Sequence, residues 1–76
     1  MTQGEWKQIF AENLIDILND KGMSQRQLAI DSGVSPAMIS DYVNGVRMPG
    51  LPAVINMAYA LDMDICELVD FDERID

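Results

Sequence analysis

The chain has 76 residues, of which 13 are Asp or Glu and 5 are Lys or Arg, so its formal net charge is −8 at pH 7. This length suits one domain with a single hydrophobic core, and the 49% share of apolar residues argues against disorder. The absence of His excludes His-based catalytic triads, and the single Cys excludes Cys-rich zinc sites and an internal disulfide. The lack of a long apolar run or a signal peptide predicts a cytoplasmic protein.

The first predicted helix begins with a capping box, in which a short polar residue and a Glu or Gln three positions later bond to each other's backbone N–H groups. Thr2 and Glu5 form this pattern, and the helix should end near Gly22. The side chains with helical spacing that we expect in the core are Trp6, Ile9, Phe10, Leu14, Ile17 and Leu18.

The second predicted helix begins with another box, formed by Ser24 and Gln27. Gly33 should end it in the left-handed conformation, which glycine adopts without steric cost. Leu28 and Ala29 are its inward positions.

The third predicted helix is capped by Ser35, and Pro36 occupies its first position, where the missing N–H costs nothing. Gly45 should end this helix, so a tight turn joins two short helices over residues 24–45. The inward candidates are Ile39, Tyr42 and Val43.

The fourth predicted helix begins at about Leu51 or Pro52, and Asp62 should leave it in the left-handed conformation that a short polar side chain tolerates. Asp64 with Glu67 forms a third box and opens a fifth helix. The expected inward residues are Val54, Ile55, Ala58 and Leu61 in the fourth helix and Ile65, Leu68, Val69 and Phe71 in the fifth.

These elements predict one all-α domain over residues 1–76, with five helices, a helix-turn-helix over 24–45 and a frayed acidic tail over 72–76. Cys66 lies in a helical apolar pattern, so we expect a buried and unreactive thiol. The acidic residues near the end lack the glycine turn and the spacing of an EF-hand loop, which favours a solvated acidic face without a metal or cofactor.

Short motifs recur along the chain in a definite order. They are Lys21-Gly22-Met23-Ser24-Gln25, Gln27-Leu28-Ala29, Gly33-Val34-Ser35, Ile39-Ser40, Asn44-Gly45, Arg47 with Pro49, Ala60-Leu61, and Ile65 with Glu67-Leu68. This series, over residues 9–71, resembles the lambda-repressor-like (Cro/Xre-type) helix-turn-helix family of phage and bacterial transcriptional regulators, which have a compact five-helix DNA-binding domain.

The resemblance implies two kinds of DNA contact. Phosphate contacts fall on Gln25, Arg26, Asn44 and Arg47. Base-reading positions at the start and on the face of the third helix fall on Ser35, Pro36, Ala37, Ser40 and Asp41.

This sequence departs from the family pattern at several of those positions. Pro36 and Ala37 offer few hydrogen bonds to base edges, although Ala37 can touch a thymine methyl. Asp41 either accepts from a cytosine amino group or disfavours DNA, in which case specificity comes from elsewhere, including DNA shape. Many relatives pair an Arg late in the first helix with a Glu late in the third, and here those positions hold Leu18 and Val43, which we predict to pack together.

Charge is unevenly distributed along the chain. Residues 1–20 carry a net −3, residues 21–50 a net +1, and residues 51–76 a net −6. The predicted helix-turn-helix therefore lies in the one segment that is not negative, and its few cations predict weak DNA binding by a monomer. A dimer would double those contacts. Apolar residues late in the chain are candidates either for the core, which we prefer, or for a dimer surface: Met63, Ile65, Phe71 and Ile75.

Two functions follow from these observations. The preferred one is a sequence-specific DNA-binding transcriptional regulator, a homodimer that represses by occupying a palindromic operator in double-stranded DNA. The alternative is an acidic helical module on the same fold that binds another protein, as an antitoxin or an inhibitor of another regulator. Because no nucleophile, base and orienting group can be assembled, we expect neither an enzyme nor a small-molecule substrate, and we expect no membrane partner.

Overall fold

The computed structural model of the protein describes residues 2–69, apart from the side chain of Gln3. Five helices follow one another in this region, α1 (Gln3–Lys21), α2 (Gln25–Ser32), α3 (Pro36–Val43), α4 (Leu51–Ala60) and α5 (Ile65–Leu68). No strand occurs within residues 2–69, so the predicted all-α class and helix order are confirmed. None of these helices has the combination of length and apolarity needed to cross a bilayer.

The capping boxes form only in part. At α1, Thr2 Oγ1 accepts from the Glu5 N–H at 3.2 Å and the Glu5 carboxylate accepts from the Thr2 N–H at 3.4 Å, as predicted. At α2, the Ser24 hydroxyl caps the Gln27 N–H at 3.0 Å, but the Gln27 amide donates to Asp31 at 2.8 Å. The second box is therefore half formed, because Gln27 points along the helix to a charged acceptor one turn ahead.

The prediction of a third capping box, at Asp64 and Glu67, is wrong. Asp64 precedes α5 without a side-chain capping bond, and the Glu67 N–H bonds instead to the Asp64 carbonyl at 3.0 Å. The helix is a single turn that ends at Leu68, before the expected Phe71, which lies outside the described residues with the predicted tail at 72–76. A backbone bond of this kind meets the needs of so short a turn without the side chain.

Left-handed residues separate the helices as predicted. Gly22, Gly33 and Asp62 follow α1, α2 and α4 with φ of 63°, 73° and 54°. Gly45, with φ of 71°, follows α3 by two residues, since Asn44 caps that helix. These exits bring consecutive helices back against one another around one core.

The core contains most of the predicted side chains. Those that are buried as expected are Phe10, Leu14, Leu18, Leu28, Ala29, Ile39, Tyr42, Val54, Ala58, Leu61 and Leu68. Partly buried side chains at its edge include Ile9, Ile17, Val43, Met63 and Val69. The rings of Phe10 and Tyr42 meet edge to face, with centroids 6.4 Å apart, and so join α1 to α3.

Several burial predictions are wrong. Trp6, Ile55 and Ile65 are exposed although their spacing suggested the core, and Met57, which was not predicted, is fully buried. Cys66 is also exposed. The α4 errors have one cause, because a helix with no charged residue and one polar residue, Asn56, has no polar stripe that would reveal which side faces solvent.

Leu18 and Val43 line the same hollow between α1 and α3, together with Met23 and Gln25. Leu18 is buried and Val43 packs at the edge of the core. Both residues that replace the charged pair of the relatives therefore face one hollow, and their direct contact remains a prediction.

Candidate nucleic-acid interface

The turn between α2 and α3 is held by short-range hydrogen bonds. Ser32 is buried, and its hydroxyl accepts from the Val34 N–H at 3.2 Å across Gly33. The Ser35 hydroxyl then accepts from the Met38 N–H at 3.2 Å and starts α3. These bonds are made by serines because a hydroxyl on a short side chain can reach a backbone N–H two or three residues ahead.

The predicted DNA contacts are all accessible. Gln25 and Arg26 are exposed on the first turn of α2, and Ser35, Pro36 and Ala37 are exposed at the start of α3. Ser40 and Asp41 are half-buried on α3, while Asn44 and Arg47 are exposed beyond its end.

The structure brings these residues together in three groups. Arg26 lines one shallow hollow with Ser35 and Pro36, so a cation of α2 lies beside the start of α3. The other two groups are side-chain pairs at the opposite end of α3, Ser40 with Asn44 and Asp41 with Arg47. Gln25 does not line the hollow of Arg26 but another one, with Leu18, Met23 and Val43.

The pair of Asp41 and Arg47 was not predicted. Arg47 Nε lies 3.4 Å from Asp41 Oδ2, and the two side chains are 55% and 37% exposed, respectively. An ion pair this exposed contributes about 0–1 kcal/mol, so a stronger acceptor can displace the carboxylate. The family resemblance implies a phosphate contact for Arg47. In the free protein this guanidinium is held weakly by Asp41, whose negative charge is unfavourable next to DNA.

The pair of Ser40 and Asn44 is also local. The Asn44 amide donates to Ser40 Oγ at 3.3 Å, one helical turn back. This leaves three groups available to a ligand, which are the side-chain oxygen of Asn44, the second hydrogen of its side-chain amide and the Ser40 hydroxyl hydrogen. Both residues can therefore contact DNA without first breaking this bond.

Tyr42 anchors α3 beneath these pairs. Its side chain is 1% exposed. Burial raises the pKa of its hydroxyl above the ordinary value of 10.0, with Arg47 opposing this rise in pKa and Asp41 adding to it. The buried ring holds α3 against α1, and the half-buried Asp41 precedes it in the chain.

The site is less negative than the rest of the protein. Lys21, Arg26 and Arg47 are exposed within or beside the helix-turn-helix, where the segment 21–50 has a net charge of +1. The acidic residues 62, 64 and 67 lie at the end of α4 and on α5, outside this segment. Charges separated by more than about 10 Å are largely screened at physiological salt, so the net +1 of the segment itself weighs most in the contacts that its own residues make.

Comparison with known proteins bears on the family and the fold of the chain. The model of the helix-turn-helix (Cro/C1-type) family matches residues 14–68, from the middle of α1 to the end of α5. Among solved structures, the chain is similar to the restriction-modification controller protein C.AhdI from Aeromonas hydrophila, with a TM-score of 0.76 and 32% identity. That similarity covers 79% of this chain and 91% of the controller protein. No curated protein sequence matches the chain.

Proposed function

Since the chain belongs to the Cro/C1-type helix-turn-helix family and is a DNA-binding transcriptional regulator, we propose that it represses transcription by occupying a palindromic operator as a homodimer. The observation that carries this proposal is the accessibility of every predicted contact on the first turns of α2 and α3 and beyond the end of α3. On this proposal the protein works in the cytoplasm, by binding and not by catalysis.

Each element has a part in the proposed complex. Gln25 and the free N–H groups at the start of α2 hold one phosphate, and Arg26 a neighbouring one. The exposed start of α3 enters the major groove, where Ala37 can touch a thymine methyl and Ser40 can bond to a base edge. Asn44 and Arg47 bind phosphate at the other end of the helix.

The ion pair gives Asp41 a defined role in this scheme. In the free protein its carboxylate neutralises Arg47, which keeps an unpaired negative charge off the DNA-binding surface. When Arg47 moves to a phosphate, Asp41 is released to accept from a cytosine amino group in the groove. The exchange replaces one weak ion pair by a charge-assisted bond to phosphate and a base contact.

Two copies are needed because one copy has few cations. Each phosphate neutralised by Lys or Arg adds to affinity through counterion release, and a helix-turn-helix dimer reaches two half-sites about one helical turn apart. A palindromic site matches the two-fold symmetry of such a dimer.

The second candidate function is a protein-binding module on the same fold. The observation that favours it is the composition of the reading face, where Pro36 and Ala37 donate no hydrogen bonds from their side chains and Asp41 already holds Arg47. On this reading the acidic surface of the protein would bind a basic partner.

Selection from a randomised duplex pool, followed by binding at several salt concentrations, tests the proposal. We expect enrichment of one palindromic site and an affinity that falls as salt rises. No enrichment even at low salt would favour the protein-binding module. Ala37→Glu is a suitable negative control, because this exposed position tolerates the side chain in the fold while its carboxylate would face the groove.

A further inference from the structure

One side of α4 is apolar and exposed. Leu51, Ile55 and Tyr59 are 66%, 45% and 88% exposed, respectively. They are four residues apart and so form one row along the helix, which we call the α4 row. The core-facing side of the same helix is formed by Val54, Met57 and Ala58, so the row points away from the core.

This row lies in an unusual stretch of the sequence. Residues 48–61 contain no charged side chain, although 24% of the chain is charged. The solvent side of a helix in a monomeric protein ordinarily carries charged and polar residues, and a continuous apolar surface marks an interaction site.

We infer that the α4 row is the surface through which two copies of this chain associate. Each copy carries a net charge of −8, so most surfaces of two copies repel one another. The α4 row is the exception among the described helices, because two of these rows can meet without bringing like charges into the contact. The lack of charge on the α4 row therefore favours a second copy of this chain as its binding partner.

Helix geometry also supports association with a second copy. Side chains four residues apart form the ridges that pack against an equivalent helix, and a two-fold axis through Ile55 would set Leu51 of one copy against Tyr59 of the other. The acidic residues Asp62, Asp64 and Glu67 of each copy then lie toward the N-terminal end of the other α4. The N-terminal end of α4 is the positive end of the helix dipole, so the charges at the rim of the contact are complementary.

The inference deepens the proposed function by assigning the contact between the two copies of the homodimer. It rests on that proposal only in taking operator binding as the role of the dimer. Of the late apolar residues singled out from the sequence, Met63 packs against the core, as we preferred, whereas Ile65 on α5 is 36% exposed. The contact that we assign is centred one helix earlier, on α4.

Sedimentation equilibrium of the full chain without DNA tests the inference. We expect reversible, concentration-dependent dimers of the unsubstituted protein. Ile55→Glu and Tyr59→Glu should each weaken dimerisation by roughly tenfold or more, because each places a charge in an apolar contact. Ile30→Glu is the matched control, since Ile30 is 64% exposed on α2, outside the row, and should change the dimer dissociation constant less than threefold.

Other results would overturn the inference. These are a protein that stays monomeric at all concentrations, and a dimer that Ile30→Glu weakens as much as Ile55→Glu does. A monomer whose α4 row instead binds a basic peptide, with loss of binding in Tyr59→Glu, would also overturn it in favour of another partner. Circular dichroism establishes that each variant is folded.

A duplex with a single half-site separates this inference from the proposed function. If Ile55→Glu binds the half-site as the unsubstituted protein does but loses tight binding to the palindrome, both hold. If no DNA binds while the dimer forms through the α4 row, only the proposed function fails. If the half-site binds and the dimer survives Ile55→Glu, only the α4 row fails.

Discussion

Arg47 Nε lies 3.4 Å from Asp41 Oδ2, which joins the last turn of α3 to the segment that follows it. The pair balances the charge of Asp41 within the protein, on the surface that we propose to face DNA. In the proposed complex Arg47 exchanges this carboxylate for a phosphate, so we expect its contribution to affinity to depend on Asp41.

Arg47→Ala should weaken binding to every DNA sequence by a similar factor, roughly tenfold at low salt, because phosphate contacts carry no sequence information. The slope of log affinity against log salt concentration should fall by about 1 per half-site. Fluorescence anisotropy with the selected site and a scrambled duplex measures both. A loss confined to the selected site would show that Arg47 reads bases.

Asp41→Asn should raise affinity for all duplexes by roughly two- to fivefold, because it frees Arg47 from a weak ion pair. The same substitution should give a smaller gain in an Arg47→Ala background, where no ion pair is broken and only the repulsion between the carboxylate and phosphate is relieved. Asp20→Asn, which changes the net charge equally on exposed α1, is the matched control. An equal gain in both backgrounds would mean that Asp41 acts by long-range repulsion and not through Arg47.

Asp41→Asn should also change the base preferred at one position of each half-site, because an amide both donates and accepts whereas a carboxylate only accepts. This change should persist in the Arg47→Ala background, since it depends on the base contact alone. Repeating the selection with both backgrounds measures it. An unchanged preferred site would remove Asp41 from base reading.

Stability should fall above about pH 10 through Tyr42. Its pKa is raised in the folded state by burial, so between the unfolded value of 10.0 and the higher folded value the unfolded chain has lost the proton that the folded chain keeps. The contribution of Tyr42 to the free energy of unfolding is therefore fully present below pH 10, and it is lost as pH rises through this window. Between about pH 10 and 12, the free energy of unfolding measured in urea should decline less steeply for Tyr42→Phe than for the unsubstituted protein.

Gly45→Ala should destabilise the fold by about 1–2 kcal/mol, because a left-handed residue with a Cβ is strained. Here φ is 71° and the added Cβ would lie 3.3 Å from Gln8 Oε1, on a flexible side chain that can move, so the backbone carries the cost. Gly45→Asn should cost less, since Asn tolerates this conformation. Urea midpoints measure both variants.

Gly4→Ala provides the opposite case within the same protein. Gly4 lies in α1 without a left-handed φ, and an added Cβ meets only Thr2 Oγ1 at 3.9 Å, an ordinary contact. We expect a gain of about 0.5–1 kcal/mol in unfolding free energy, because the unfolded chain loses freedom. A loss of stability in this variant would contradict the helical assignment of the first turn of α1.

Local signals determined most of the architecture. The serine caps at 24 and 35, the glycines at 22, 33 and 45 and the left-handed Asp62 act within a few residues of themselves, so helix order and helix ends could be predicted from the sequence. The nine predicted contacts are also accessible, because their positions on short helices follow from those ends.

Only the tertiary structure decided what depends on neighbours distant in sequence or on side-chain direction. The exposure of Ile55 and Cys66, the burial of Met57 and the pairing of Asp41 with Arg47 are of this kind. An uncharged helix carries no internal sign of which side packs on the core, and an ion pair across six residues depends on how the chain leaves α3. Backbone signals are local and therefore legible in the sequence, whereas the solvent-facing side of α4 and the partner of Arg47 are set by packing.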